Sequence, residues 1–355
     1  MDRRAQDRTR LLVVTTGILL RRLATDPLLD GVSCVILDEF HERSLEVDLA
    51  LGMLQRVRTE LRPELHLVVM SATLDPGPIA DFLPDASVVE SEGRAFPVKI
   101  DYVDTIVRGD LPQQIAERLP AVLDQTDGHI LVFLPGKGEI IRVHRELNAR
   151  GFEDRLLIAR LYGDLPAEEQ DRVLDPGRRR KVILATNVAE TSVTIPLVGA
   201  VVDSGLARVM QFDVRSGLPR LQLQSISRAS SDQRAGRAGR TASGYCLRLW
   251  PKAVQRSRRG TDLPEVLRSD LSAAVLVLAT WGERDIEKFP WLTKPTEDAV
   301  NSAKTLLRRL EAIDDEGSLT AVGERMSRVP LTPRLARFML EASRLGVAKE
   351  ASIAA

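Results

Sequence analysis

The sequence has only two cysteines, Cys34 and Cys246, in 355 residues. Two are too few for a disulfide scaffold, and they lack metal-ligand spacing, so a reducing, cytoplasmic setting is expected. Aromatic residues are 4% of the chain, which argues against a sequence-tolerant platform for stacking bases. No apolar run approaches the ~18 residues of a membrane-spanning helix, so no membrane partner is expected. Net charge is absent too, 50 basic residues against 50 acidic. Glycine and proline are modest, at 23 and 19, which excludes fibrous and low-complexity chains. What is there, 44% hydrophobic and 28% charged, describes a globular protein of two to three domains at ~150 residues each.

The start imitates a signal peptide. Arg3, Arg4, Arg8 and Arg10 precede the apolar stretch Leu11–Leu20. Asp2, Asp7 and the immediate Arg21–Arg22 argue against one, and a strand leading into a helix is expected. Leu11–Val14, Val32–Leu37 and Leu67–Met70 read as short buried parallel strands. Leu45, Leu49, Met53 and Val57 repeat every four residues, one face of a helix. Strand–helix–strand alternation implies an α/β fold with a parallel sheet. Gly93–Pro97 (GRAFP) reads as a linker. Alternation then resumes with strands at Ile130–Leu134, Leu156–Leu161, Val182–Ala185 and Ala200–Val202, and a helix at Glu139–Arg150. Val209–Val214 and Leu218–Leu223 flank Arg215–Ser216–Gly217 as a hairpin. After Trp250 the pattern turns helical, over Leu271–Trp281, Glu297–Ala312 and Arg334–Leu345, with a polar turn at Asp314–Leu319.

Four segments carry chemistry. Asp38 and Glu39 follow the apolar strand, at the carboxyl edge where α/β sheets bind ligands. One carboxylate there suits Mg²⁺ and its neighbour suits activation of a water. Two acids opening a helix would look the same, because they favour its dipole. His41–Glu42 is not a zinc H-E-x-x-H, since position 45 is Leu. Ser71–Ala72–Thr73 ends the next strand; small hydroxyl residues there also serve as plain helix caps. Ala185–Pro196 contains Thr186, Asn187, Ser192 and Thr194, which can hold phosphate oxygens or a nucleic-acid backbone. A polar loop with a helix cap fits that segment equally well. The most specific segment is Gln233–Arg240, in which Arg234, Arg237 and Arg240 share one face if it is helical. Planar guanidiniums on one face suit a triphosphate. From Arg228 to Arg259 nine basic residues face one acid, Asp232, despite the neutral total.

Together these segments closely resemble the DEAH-box branch of the superfamily-two helicases. Asp38-Glu39-Phe40-His41 has the D-E-x-H form, and Gln233–Arg240 reads Q-R-x-G-R-x-G-R. Thr15–Leu20 matches T-x-G-x-L, Leu131–Gly136 matches the fourth motif, and Val201–Ser225 fits the hairpin between motifs five and six. DEFHERS, with Leu331–Ala336 downstream, is similar to the bacterial HrpB subgroup.

The resemblance implies two RecA-like parallel-sheet lobes, the first incomplete, followed by a winged-helix domain and the start of a helical ratchet domain. The implied boundaries are 1–97, 98–250, 251–322 and 323–355, with Asp314–Leu319 as the wing. It implies ATP, or another NTP, and Mg²⁺ as cofactors, and RNA or single-stranded nucleic acid as partner. Asp38 would bind Mg²⁺ and Glu39 would be the general base. Gln233, Arg237 and Arg240 would face the triphosphate. His41, Ser71 and Thr73 would couple hydrolysis to movement. Thr16, Gly17, Thr186, Asn187 and Thr194 would meet nucleic acid, and Ser192 the sensed phosphate. Leu174 stands where relatives stack the nucleobase on an aromatic ring. No G-x-x-x-x-G-K-[ST] loop precedes Asp38; Gly136–Lys137 is the sole Gly-Lys pair and lacks the rest of that pattern. The chain therefore reads as an N-terminally truncated helicase, with a non-catalytic nucleic-acid-binding module as the rival.

Overall fold

The computed structural model describes residues 8–72, 75–91, 96–105, 110–177, 179–190, 193–213 and 217–354. The chain divides into two compact units, Met1–Val88 with Gln211–Arg220 and Leu263–Ala355, and Val89–Met210 with Leu221–Asp262.

In the first unit, β1 (Cys34–Leu37) pairs in parallel with β2 (His66–Val69). The helix between them, Leu45–Glu60, explains why they meet. Ser44 caps it by accepting the Val47 N–H, and Glu46 and Asp48 occupy its first turn, where acids favour the dipole. Leu49, Ala50, Leu51, Met53, Leu54 and Val57 are at most 2% exposed, so this helix is the core of its unit rather than a surface helix. The C-terminal helix Ser272–Trp281 packs into the same apolar cluster. Close approach requires glycine at 52: a Cβ there would lie 2.5 Å from both the Phe289 ring and the Pro290 carbonyl oxygen. Helices Glu297–Arg309, Ala321–Ser327 and Pro333–Arg344 follow. Between the first two, Ile313 and Leu319 form an antiparallel bridge around a turn closed by Asp314 N–H on the Ser318 carbonyl and by Gly317 at φ +83°.

The expected strand at Leu11–Val14 does not form. These residues carry no regular structure and are exposed, Leu11 at 74% and Val13 at 87%. A strand exists by pairing, and the described sheet of this unit contains β1 and β2 alone. Nor are those two strands buried on both sides, since Ile36 and Val68 are exposed. Thr16–Thr25 is helical as expected.

The second unit is a six-stranded sheet. Its strands are β3 (Val98–Tyr102), β4 (His129–Phe133), β5 (Leu157–Leu161), β6 (Lys181–Ala185), β7 (Val198–Asp203) and, after the hairpin β8 (Leu206–Asp213) and β9 (Leu218–Ser225), β10 (Gly244–Arg248). The order is β3-β10-β7-β4-β6-β5, and every pair is parallel. Alternate residues of β4 feed two cores: Ile130 and Val132 join one apolar cluster, Leu131 and Phe133 the other. Both faces are thus covered, as all-parallel sheets require. The hairpin is longer than expected, and 214–216 of its turn lie outside the described residues.

Candidate nucleotide and nucleic-acid sites

In the first unit the Asp38–Glu42 turn is built at the carboxyl end of β1. Phe40 is fully buried. Its N–H donates to the Met70 carbonyl (3.0 Å), and the Met70 N–H donates to the Leu37 carbonyl (2.8 Å). Phe40 thereby pins the turn to the end of β2. Asp38 is exposed, and its Oδ1 accepts the Glu39 N–H at 2.8 Å. Glu39 and Arg43 bracket the turn in left-handed backbone, at φ 52° and 48°. Such non-glycine residues cost of order 1–3 kcal/mol each and cluster at functional sites.

His41 joins the pieces. Its Nδ1 accepts the Ala72 N–H at 3.4 Å, and its Nε2 lies 3.2 Å from Glu39 Oε2. The ring is 6% exposed, while the Glu39 side chain is 50% exposed. A water can therefore reach the carboxylate, with the buried imidazole close behind it. Ser71 is exposed next to this contact; Thr73 lies outside the described residues. Thr16 and Gly17 form the first turn of the helix Thr16–Thr25, where a Cβ on Gly17 would lie 3.5 Å from Glu46 Oε2.

The second unit gathers the loop after β6 and the arginine segment. Helix Arg228–Gly236 is capped by Ser227 and passes into a tighter turn, Arg237–Gly239. The three arginines do not share a solvent face. Arg234 is buried, with Nε on Glu190 Oε2 (2.8 Å), Nη1 on Asp203 Oδ1 (3.0 Å), and its guanidinium 4.8 Å from the Phe133 ring centre. Burial opposes the charge of Arg234, but Asp203 and Glu190 hold its pKa up. Burial also pushes the Glu190 carboxyl up, with Arg234 pulling against it. One guanidinium serves two carboxylates, so Arg234 keeps its proton. Arg237 is buried as well and donates to backbone: Nε to the Glu190 carbonyl (2.8 Å), Nη1 to the Val193 carbonyl (2.7 Å), and Nη2 to Glu190 again. Arg240 is exposed and reaches Thr194 Oγ1 at 3.3 Å. Gln233 is half-buried on the same helix.

Thr186 and Asn187 open the loop at the end of β6, the Thr186 N–H donating to the Leu161 carbonyl. Thr194 is exposed at the far end of that loop; Ser192 lies outside the described residues. Leu174 ends the helix Ala167–Leu174 and packs against the cluster that includes Phe133. The sequence reading assigned no role to Glu190 or Asp203. The signal available was an acid at the end of an apolar strand, Asp203, and one inside the polar loop, Glu190. The basic stretch is also less available than its composition suggests. Arg248 is consumed by Asp232 and Tyr102, and Arg258 by the Gly205 and Ile226 carbonyls.

Residues 102–242 match the family described as helicase conserved C-terminal domain. Residues 305–331 match the helicase associated domain (HA2), winged-helix. The chain is 44% identical over 336 residues to the ATP-dependent RNA helicase HrpB of Escherichia coli, covering 94% of this chain and 41% of that protein. A crystal structure of the E. coli DEAH/RHA helicase HrpB superposes with a TM-score of 0.88 at 43% identity, over 98% of this chain and 44% of that one. Over nearly its whole length the chain is similar to the DEAH/RHA helicases and is HrpB-like. The HrpB-like chain is also 36% identical over 359 residues to the ATP-dependent RNA helicase HrpA of E. coli, covering 27% of it. It therefore spans well under half the length of these relatives. Its six-stranded sheet is the RecA-like fold of the matched helicase domain.

Proposed function

We propose that this HrpB-like chain forms part of an ATP-dependent RNA helicase that couples NTP hydrolysis to movement along RNA or single-stranded nucleic acid in the cytoplasm. The observation that carries the reading is the Asp38–Glu39–His41 turn: an exposed carboxylate pair at a strand's carboxyl end, backed by a buried imidazole. Glu39 accepts the proton of the attacking water. His41 links its position to the Ser71–Ala72 backbone, and Ser71 and Thr73 pass the state of the site onward. Asp38 would hold Mg²⁺. A single exposed carboxylate with one oxygen fixed by a backbone N–H fits an ion that keeps most of its waters, and the ion would neutralise charge on the phosphate oxygens.

Arg240 reaches the triphosphate directly. Arg237 acts from behind it, organising the loop that carries Thr186, Asn187, Ser192 and Thr194. Gln233 faces the nucleotide, Leu174 covers one face of the base, and Thr16 and Gly17 contact the nucleic-acid backbone. The finer division into 1–97, 98–250, 251–322 and 323–355 belongs to the same reading. Preparing the full-length gene product with Arg240→Ala tests it. Turnover should fall by roughly 10³–10⁵, while RNA affinity changes far less. Unchanged turnover would remove Arg240 from the site.

A second reading has one observation in its favour. These 355 residues contain no G-x-x-x-x-G-K-[ST] loop, which would suit a non-catalytic nucleic-acid-binding module. RNA binding that weakens with salt, with no Glu39-dependent phosphate release in the full-length product, would support that module instead.

A further inference from the structure

The turn that carries Glu39 is bonded onward at its far end. Arg43 places Nε and Nη2 on the two Asp48 oxygens, at 2.8 and 3.0 Å, and Nη2 also donates to Thr293 Oγ1 at 2.9 Å. Its guanidinium lies 5.6 Å from the Phe40 ring centre. Asp48 is 1% exposed. Burial pushes its carboxyl up and Arg43 pulls it down, so neither partner is comfortable without the other.

Backbone bonds continue the series. The Glu265 N–H donates to the Arg43 carbonyl (3.0 Å), and the Leu45 N–H donates to Glu265 Oε2 (3.0 Å). The other oxygen, Glu265 Oε1, accepts from Arg268 Nη2 at 3.3 Å. The Arg268 carbonyl in turn accepts the Phe212 N–H at 2.8 Å. Phe212 is in β8, within the Gln211–Arg220 portion that belongs to the first unit. An unbroken set of short bonds thus joins the Asp38–Glu42 turn to the hairpin through one three-residue turn, Glu265–Leu267.

Glu265 is the hinge of this series because its two oxygens serve different sides. Leu45 is the first residue of the helix Leu45–Glu60, and its N–H has no partner within the helix. Water would satisfy that group as well as any side chain. Here a carboxylate 220 positions away does so, and the helix dipole favours it. The bracketing left-handed residues Glu39 and Arg43 keep the turn strained, so it holds its shape only while its surroundings hold it.

We propose that Glu265 is a positioning residue that couples the Asp38–Glu42 turn to the β8–β9 hairpin, so that a displacement of the turn during hydrolysis reaches Phe212, and a load on the hairpin reaches Glu39. This rests on Glu39 being the general base. Contiguous bonding supplies the route, and coupling itself is measured by variants.

The experiment uses the full-length gene product with three variants, Glu39→Gln, Glu265→Ala and Glu265→Gln. Phosphate release is followed with and without RNA. Glu265→Ala should lower RNA-stimulated kcat roughly tenfold and leave the KM for ATP within about twofold. Glu265→Gln, whose amide oxygen still accepts from Leu45 but whose NH2 cannot accept from Arg268 Nη2, should recover only part of the loss. Hydrogen exchange of the 355-residue chain supplies a second readout. Glu265→Ala should speed exchange at Gln211–Asp213 and leave β4 unchanged. If Glu39→Gln is inactive but Glu265→Ala keeps full RNA stimulation, the coupling is overturned and the functional reading stands. Loss of protection in β4 as well would make Glu265 a purely structural residue and overturn the coupling too. Normal turnover by Glu39→Gln would overturn the functional reading on which the coupling rests.

Discussion

Arg234 sits between two carboxylates, 2.8 Å from Glu190 and 3.0 Å from Asp203, and is 1% exposed. Arg240, six residues on, is exposed and touches only a threonine hydroxyl among its described hydrogen bonds. One motif therefore divides its arginines between holding the fold and facing outward.

That division predicts opposite consequences for two alanine substitutions. Arg234→Ala leaves two buried carboxylates without their partner and should cost about 3–5 kcal/mol. Arg240→Ala should change stability by less than about 0.5 kcal/mol. Hydrogen-exchange protection of β4 in each variant measures the difference; equal protection would contradict it.

Gly52 makes a steric prediction. A Cβ there meets the Pro290 carbonyl oxygen at 2.5 Å, and backbone cannot step aside as a flexible side chain can. Gly52→Ala should destabilise the first unit by about 1–3 kcal/mol despite alanine's better helix propensity. A urea series followed by exchange in the helix Leu45–Glu60 checks it, and a stabilised variant would refute the packing.

How far these features were legible in the sequence depends on what each needed. Ile130–Phe133 and Val182–Ala185 are apolar runs covered on both faces, so hydrophobicity alone revealed them. Strand β3 carries Lys99 and Asp101 on an edge, and β10 ends in Arg248, buried on Asp232 and Tyr102; neither looks like a strand until its partners are known. The helix Leu111–Leu123 was hidden by Pro112 and Pro120. Leu11–Val14 shows the converse, a run of strand composition with no described strand to pair with. At the candidate site, Glu39 and Arg240 stood out because motif spacing marks them. Burial of Arg234 and Arg237 did not, because nothing local in the sequence points to Glu190, Val193 and Asp203 as their acceptors.

His129 predicts a pH dependence. Its Nδ1 accepts the Lys181 N–H (3.3 Å), and its Nε2 lies 3.2 Å from the Pro176 carbonyl, so the ring is neutral with its proton on Nε2. Burial lowers its pKa below the ordinary 6.5, and Lys181 and Arg180 add to the lowering. The unfolded chain then binds a proton that the folded ring refuses. Stability is complete above pH 6.5 and is lost as pH falls below it toward the lowered folded value. The slope there should reach at most about 1.4 kcal/mol per pH unit for this ring. His144, also lowered chiefly by burial, adds to the same window. His129→Asn should flatten the pH profile of exchange protection in β4 between pH 7.5 and 5.5; an unchanged profile would assign the acid sensitivity elsewhere.

The account depends above all on Glu39 activating water from a turn held by Phe40, His41 and Arg43. Steady-state phosphate release in the presence of RNA, comparing the full-length gene product with its Glu39→Gln variant, tests this most directly. The account predicts turnover by the unsubstituted protein and none above background in Glu39→Gln. Undiminished turnover in Glu39→Gln would contradict it.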